Sequence, residues 1–201
     1  MDFQDAKPNT YLSCKSVKSI NPGSDNYICT MKTKGFLRII IILLVLGLNI
    51  GCDQVSKSIV RRKMYYYTQI GFLHNHITLS KVENTGAFLS LGDTFSRPVK
   101  MVLFNILPLL AVAIGLGFML IKTDLDRVTL LCMILIVGGG FGNIFDRITR
   151  GSVTDFMHIN FGIFQTGIFN VADVSITTGT LILVVYAYFK KPEAVEESET
   201  A

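Results

Sequence analysis

The sequence contains no tryptophan and few charged residues, and its four cysteines lack the paired spacing of a metal site. Only 17% of the 201 residues are charged, whereas 50% are hydrophobic, and the mean hydropathy is +0.46. These values are high for a soluble domain and normal for a small polytopic membrane protein. The net charge of +4 comes without a basic run interleaved with aromatics, so nothing indicates a nucleic-acid-binding protein.

The cysteines and histidines do not form a recognisable ligand set. Cys52 and Cys132 fall within or at the end of apolar runs, which argues against a disulfide framework. His74 and His76 have no third ligand nearby, so the pair favours an ordinary polar strand over a metal site. We therefore expect neither a metal nor a cofactor.

Four apolar runs are long enough to cross a bilayer as helices, which takes about 20 residues. They cover residues 36–60, 99–121, 128–145 and 174–189. Pro108 is predicted to kink the second run, a defect that membrane helices tolerate when neighbours satisfy the freed carbonyl. The sequence thus predicts a mainly α membrane protein, with four transmembrane helices in a single domain over residues 31–191.

The segments outside the spans are polar. Residues 1–30 show no helical or strand period, so we predict a disordered extension, with translation beginning at Met31. The acidic tail over residues 192–201 is also predicted to be disordered. In the connection 61–97, residues 77–80 alternate as a strand does and residues 84–86 supply turn chemistry. We expect a small extracytoplasmic β-sheet there, lying at the membrane surface.

The charge distribution leaves the orientation in the membrane open. Four spans put both ends on one side, and the two sides carry nearly equal numbers of lysines and arginines. Only the basic residues just before the first span favour a cytoplasmic N-terminus.

Acid and amide side chains concentrate around the third span. Asn143, Asp146 and Arg147 stand at i, i+3 and i+4, so a helix places them on one face. Glycines at 138, 139 and 142 keep this helix slim, which lets another helix or a ligand approach closely. Asp155 follows a short polar break and Asp173 precedes the last span. Ionisable residues at membrane helices tend to be functional, so we expect these residues to converge on one site.

Among the residues around the third span, the carboxylates are the groups that can carry out a reaction. Two neighbouring carboxyl groups share a proton, so that one activates a water and the other polarises a carbonyl. Buried carboxylates also serve ion or proton pathways, and spacing alone leaves both hypotheses open. Asp53 and Lys57 stand at i and i+4, as either a solvated ion pair at a helix end or a pair that supports the site.

Five sequence runs carry a family resemblance, and they occur in the family's order. They are DQVSK at 53–57, NTGA at 84–87, the glycine-rich run at 138–147, GSVTDF at 151–156 and FNVAD at 169–173. Together they resemble lipoprotein signal peptidase, or signal peptidase II, over residues 31–191. The resemblance implies an aspartic endopeptidase of the bacterial inner membrane, with its site facing the periplasm. It implies removal of signal peptides from diacylglyceryl-modified prolipoproteins, with the cut just before the lipidated cysteine.

The same resemblance assigns roles to residues. Asp155 and Asp173 match the catalytic pair. The supporting or substrate-binding positions that it implies are Asp53, Lys57, Asn84, Gly86, Gly139, Asn143, Asp146, Arg147, Asn170 and Ala172. Gly86 and Ala172 are expected to leave room for an extended peptide, and Phe88 and Phe156 to line the lipid-binding wall. The expected partners are lipidated prolipoproteins and membrane lipid, with the enzyme acting as a monomer.

Two features depart from the family pattern. Phe88 and Leu89 stand where many relatives have a second small residue, and residues 1–30 have no counterpart.

Residues 48–52 themselves resemble a lipoprotein signal ending in Cys52. Asn49 is a poor match for the aliphatic residue expected there and three further spans follow, so we interpret the segment as part of the first span. A non-enzymatic small-molecule or ion carrier is the other alternative, but the paired inverted halves of carriers are not visible.

Overall fold

The computed structural model describes residues 12–17, 26–31, 33–86, 92 and 94–190. At its N-terminal end, β1 (Leu12–Val17) pairs antiparallel with β2 (Asn26–Met31). These two segments differ from the disorder predicted for residues 1–30. Their ladder is made by main-chain hydrogen bonds, which leave little trace in a side-chain pattern. The predicted acidic tail lies outside the described residues.

The first span is a single long helix. Helix α1 (Thr33–Lys63) has 31 residues and is therefore roughly 46 Å long, more than the ~30 Å of a bilayer core. Its last turn carries Arg61, Arg62 and Lys63, whose positive charges complement the negative end of the helix dipole. The helix thus brings its final turns to the edge of the membrane.

The second span accommodates Pro108 through a change of helix type. Helix α2 (Arg97–Met101) continues into a π-helical turn (Val102–Ile106) and then into α3 (Leu107–Ile121). Proline removes a main-chain donor and clashes with the carbonyl four residues earlier. The wider π turn lies at that place, next to the proline, so it accounts for the predicted irregularity.

The third and fourth spans pack closely through glycine. Helix α4 (Arg127–Arg150) lies against α5 (Val171–Phe189) and α1. A Cβ added at Gly139 would collide with the carbonyl oxygen of Ala172, and one at Gly142 would lie 2.6 Å from Oδ2 of Asp53. The prediction that the glycines keep this helix slim is confirmed, because helix backbone and a buried carboxylate occupy the space.

A four-stranded antiparallel sheet joins one end of the bundle. Its order is β3 (Gln69–Phe72), β4 (Ile77–Asn84), β5 (Val153–Phe161) and β6 (Phe164–Gln165). Strand β4 pairs with β5 from Ile77↔Ile159 to Asn84↔Val153, with an irregularity between Leu79 and Val82. The strand predicted over 77–80 is confirmed and is longer. Strand β5 was not predicted: residues 157–161 do alternate between apolar and polar, but residues 153–156, which include Asp155, are all buried and do not.

The four long helices account for the fold class. Each is long and apolar enough to cross a membrane. A small core of Ile42, Leu46, Met119, Ile134 and Val137 lies between α1, α3 and α4. Most other large apolar side chains on the spans are exposed, as expected of surfaces that face lipid. The chain is a mainly α, multi-pass membrane protein with a small antiparallel sheet.

Candidate active site

Three helix ends and two strands converge on a cluster of buried acids and amides. Helix α1 supplies Asp53 and Lys57, and α4 supplies Asn143 and Asp146. Asn84 ends β4, and Asp155 lies in β5. Asn170 and Asp173 begin α5. All of these side chains except that of Asp173 are buried, and Asp173 is half-buried. The prediction that separate segments bring these residues to one place is confirmed.

The start of α5 fixes Asp173. Asn170 is the N-cap residue, and its side-chain oxygen accepts from the Asp173 amide at 3.0 Å. The Asp173 carboxylate accepts from the Asn170 amide at 3.1 Å, which completes a capping box. A negative charge is favoured at a helix N-terminus because the unpaired amides and the helix dipole point toward it. Asp173 is therefore oriented by the local fold at the N-terminus of α5.

Two amides from different segments hold Asp155. Asn170 Nδ2 donates to its Oδ1 at 2.6 Å, and Asn84 Nδ2 donates to its Oδ2 at 3.0 Å. The pKa of Asp155 is raised to about 6, chiefly by burial and also by the nearby Asp173 charge, against the opposing effect of the two amide donors. Asp155 is thus a carboxyl group that can carry a proton near neutral pH.

Asn143 connects the two acids. Its side-chain oxygen accepts from Asn170 at 3.2 Å and from Lys57 Nζ at 2.9 Å. Its amide group donates to Asp173 Oδ1 at 2.8 Å. Asp155 and Asp173 are therefore joined through Asn170 and Asn143, so movement of one acid would disturb the hydrogen bonds of the other.

A buried ion network lies behind Asn143. Lys57 Nζ is 2.8 Å from Asp53 and 3.0 Å from Asp146, and all three side chains are fully buried. Asp146 also pairs with Arg61 at 3.2 Å and Arg150 at 2.8 Å. The Asp53–Lys57 pair is therefore a supporting pair rather than a solvated one. The network fixes the Lys57 ammonium that orients Asn143.

Two of the predicted supporting residues, Arg147 and Asp146, do not contact the two central acids. Arg147 does not pair with a site carboxylate; its guanidinium donates to the Gly86 carbonyl at 2.8 Å. It thereby fixes the turn in which the Gly86 amide donates to Asn84 Oδ1 at 2.9 Å. Asp146 contacts Lys57 rather than the two central acids.

The small residues in and near α5 serve packing. Ala172 is fully buried against α4, so it does not line a path for a peptide. Its amide donates to Asp53 Oδ1 at 3.0 Å. Gly139 is buried against the same turn of α5, where it makes room for helix backbone rather than for a ligand. Small size at these positions is required by the approach of the two helices.

Several polar partners lay outside the predicted set. Gln54 donates to Asp53 at 3.1 Å and to the Gly142 carbonyl at 3.2 Å. Glu83 accepts from Ser152 at 2.7 Å and from Thr154 at 2.9 Å, which ties β4 to the start of β5 beside Asp155. The i, i+4 spacing of Asp146 and Arg150 is visible in the sequence, whereas the Glu83 contacts depend on a strand pairing that the sequence did not indicate.

A cleft of about 540 Å³ opens beside Asp173. Its wall is formed by the segment after β6 and by the first turns of α5: Gln165, Thr166, Gly167, Phe169, Asp173, Val174, Thr177 and Thr178. Phe156, predicted to line an apolar wall, is instead buried in the sheet and does not border this cleft. Phe169 takes that place. Phe88 lies outside the described residues.

The histidines belong to the sheet rather than to the site. His74 and His76 lie in the turn between β3 and β4, not in a strand, and the His76 ring nitrogen Nδ1 is 2.8 Å from the Asn160 carbonyl. Across the part of the chain that the structure describes, no three His, Cys, Asp or Glu side chains are grouped as metal ligands would be. Among the residues of the acid and amide cluster, Asp173 borders the cleft.

Comparisons with known proteins agree on one family. A family model described as signal peptidase (SPase) II matches residues 39–189. The lipoprotein signal peptidase of Clostridioides difficile is 35% identical over 147 residues, covering 73% of this chain and 94% of that protein. That of Borreliella afzelii is 31% identical over 175 residues, covering 82% and 98%. A bacterial membrane enzyme solved at 2.3 Å superposes with a TM-score of 0.66 at 25% identity, over 77% of this chain and 94% of that one.

Proposed function

The chain belongs to the signal peptidase II family, and we propose that it removes signal peptides from diacylglyceryl-modified prolipoproteins, cutting just before the lipidated cysteine. Membership in this family makes it a peptidase. The match to the two lipoprotein signal peptidases covers most of the length of each. The observation that carries the proposed chemistry is the pair of acids joined through two amides at the edge of a cleft. Asp173 borders the cleft, and Asp155 lies behind it.

The two acids have different surroundings, which supports different roles. Asp173 reaches the cleft, accepts two hydrogen bonds and begins a helix, so we assign it the ionised form. Asp155 is buried and its pKa is raised to about 6, so we assign it the proton. Asp173 then takes a proton from the water that attacks the scissile carbonyl carbon, and passes it to the amine nitrogen as the C–N bond breaks. We propose that the bound substrate brings its carbonyl to Asp155, which is buried behind the cleft in the free protein, and that the Asp155 proton then polarises it. Such a pair titrates as a unit, and its activity depends on one shared proton.

The remaining residues would hold this pair in register. Asn170 and Asn143 hold Asp155 and Asp173 at a fixed separation, and Lys57 holds Asn143 in place by donating to its side-chain oxygen. Arg147 holds the Asn84–Gly86 turn, which in turn positions the amide on Asp155. These are positioning roles, because none of the four side chains borders the cleft.

The position of the cleft suits a lipid-anchored substrate. It lies where α5 begins, at the bundle end that carries the sheet, with Phe169 and Val174 among its walls. A diacylglyceryl cysteine keeps its acyl chains in the bilayer, so the bond before it is met at about headgroup depth. We propose that the enzyme lies in the bacterial inner membrane with this end toward the periplasm, where the acyl chains occupy the outer leaflet.

Cleavage of a lipidated prolipoprotein peptide by the purified full-length protein tests the proposal. Asp155→Asn and Asp173→Asn should each lower turnover by about 10²–10⁴-fold, since each removes a proton-transfer group. Asp124→Asn is the matched control, because Asp124 is an exposed acid at the far end of the bundle and should leave turnover unchanged.

Reagents separate this mechanism from others. Metal chelators and serine- or cysteine-directed reagents should leave turnover intact. Wild-type turnover in either folded acid variant would contradict the assignment of the pair. Activity lost in chelator and restored by a divalent cation would show that the chemistry is of another kind.

A further inference from the structure

A second groove lies at the end of the bundle opposite the acid cluster. It has a volume of about 610 Å³ and runs between the first turns of α1 and those of α4. Its walls are apolar, with Leu37 and Ile41 on one side and Leu131 on the other, and Arg38 and Arg127 stand among them. This size is typical of small-ligand sites, but nothing in the proposed peptidase chemistry uses it.

Arg38 has unused hydrogen-bonding capacity. Arg38 Nη2 donates to the carbonyl of Lys122 at the end of α3, at 2.7 Å, which holds the guanidinium in place. Its other terminal nitrogen, Nη1, is shielded from solvent and has no hydrogen-bond partner. A buried donor without a partner costs free energy, and a charged one costs more. Arg38 and Arg127 both border the groove, so an anion that enters it meets positive charge from two helices.

The acids near this end do not supply the acceptor. Asp126 accepts from the amide and hydroxyl of Thr129 at 2.9 and 2.8 Å, and pairs with Lys190 at 3.3 Å. Over the described part of the chain, no carboxylate comes within ion-pair distance of Arg38 or Arg127. The groove therefore combines positive charge with apolar walls, and no carboxylate of the described residues pairs with its two arginines.

We propose that this groove binds an anionic phospholipid of the leaflet opposite the active site. The phosphate would lie between Arg38 and Arg127, and an acyl chain would follow the apolar wall along Ile41 and Leu131. A guanidinium donates to phosphate oxygens in a paired geometry, so two arginines favour an anionic headgroup over a zwitterionic one. The groove lies between the first turns of two helices that are long and apolar enough to cross a membrane, which favours a membrane lipid as its occupant.

Lipid titration of the full-length protein in an uncharged detergent tests this site. Phosphatidylglycerol should remain bound in native mass spectra and raise the thermal unfolding midpoint, whereas phosphatidylcholine with the same chains should do neither. Arg38→Gln and Arg127→Gln should each weaken phosphatidylglycerol binding roughly five-fold, and the double variant about 25-fold. Arg62→Gln is the control, because Arg62 is exposed at the other end of α1.

Two further arms separate a lipid from a simple anion. Leu131→Trp fills the groove without changing its charge and should weaken phosphatidylglycerol binding as much as the loss of one arginine does. Inorganic phosphate at millimolar concentration should not displace the lipid. Equal binding of phosphatidylcholine, full binding by the double arginine variant, or displacement by free phosphate would each overturn the proposal. Because the assay measures binding, its result is independent of peptidase activity.

Discussion

The raised pKa of Asp155 predicts a specific dependence of stability on pH. Its pKa in the folded protein is about 6, against 3.8 for an unperturbed carboxyl, and burial is the main cause. The folded state therefore holds the proton more tightly than the unfolded chain does. The resulting stabilisation is fully present below pH 3.8 and is lost as pH rises through 6. At 1.36 kcal/mol per pKa unit, the loss is about 3 kcal/mol.

Asp155→Asn removes this titration and should reverse part of the loss. The amide has one acceptor oxygen in place of two, so the donors of Asn84 and Asn170 cannot both be satisfied. That mismatch costs about 1–3 kcal/mol at every pH. The difference in unfolding free energy between variant and wild type should therefore shift by about 2.4 kcal/mol in favour of the variant between pH 4 and pH 8, because part of the loss has already occurred at pH 4.

Unfolding titrations in mixed micelles at several pH values measure this difference. Asp126→Asn is the control, because hydrogen bonds from Thr129 lower the pKa of Asp126 to about 2, below the range that is scanned. Its difference from wild type should stay nearly constant from pH 4 to pH 8. A flat difference for Asp155→Asn as well would refute the reasoning, since it would mean that Asp155 is ionised in the folded protein throughout.

Three further predictions concern the buried network, the glycine contact and the orientation. Lys57→Met should lower the unfolding free energy by about 3–5 kcal/mol, measured in the same titration, because it leaves two buried carboxylates without their shared cation. Gly142→Ala should lower the unfolding free energy by about 1–3 kcal/mol and reduce cleavage, because the added Cβ would meet the Asp53 carboxylate. Gly47→Ala is the control and should change neither, because a Cβ there has no neighbour within 4 Å. The orientation is tested with single cysteines in a background without the native cysteines. A cysteine at position 94 should react with a membrane-impermeant thiol reagent in intact spheroplasts, whereas one at position 124 should react only after lysis. The reverse pattern would contradict the proposed orientation.

The spans and the central site residues were predictable from the sequence for local reasons. Length and hydropathy define a membrane helix, so the four spans were placed within a few residues of their observed ends. Likewise, the 3.6-residue period put Asn143 and Asp146 on one helix face, and the run of glycines indicated a close helix contact. Each of these properties is set by neighbours within one or two turns of the chain, which is the range that a sequence pattern reports.

Only the tertiary structure decided which groups touch. Arg147 was expected to hold a carboxylate, but it donates to Gly86, 61 positions away along the chain. Ala172 was expected to face a substrate, but it is buried against α4. In strand β5, residues 153–156 are buried around Asp155 and do not alternate, and the alternation of residues 157–161 does not say which strand they pair with. Residue type and local period determine which groups are present and on which face of a helix or strand they lie. Hydrogen-bond partners are different, because groups from separate elements come within bonding distance only when the helices and the sheet pack together.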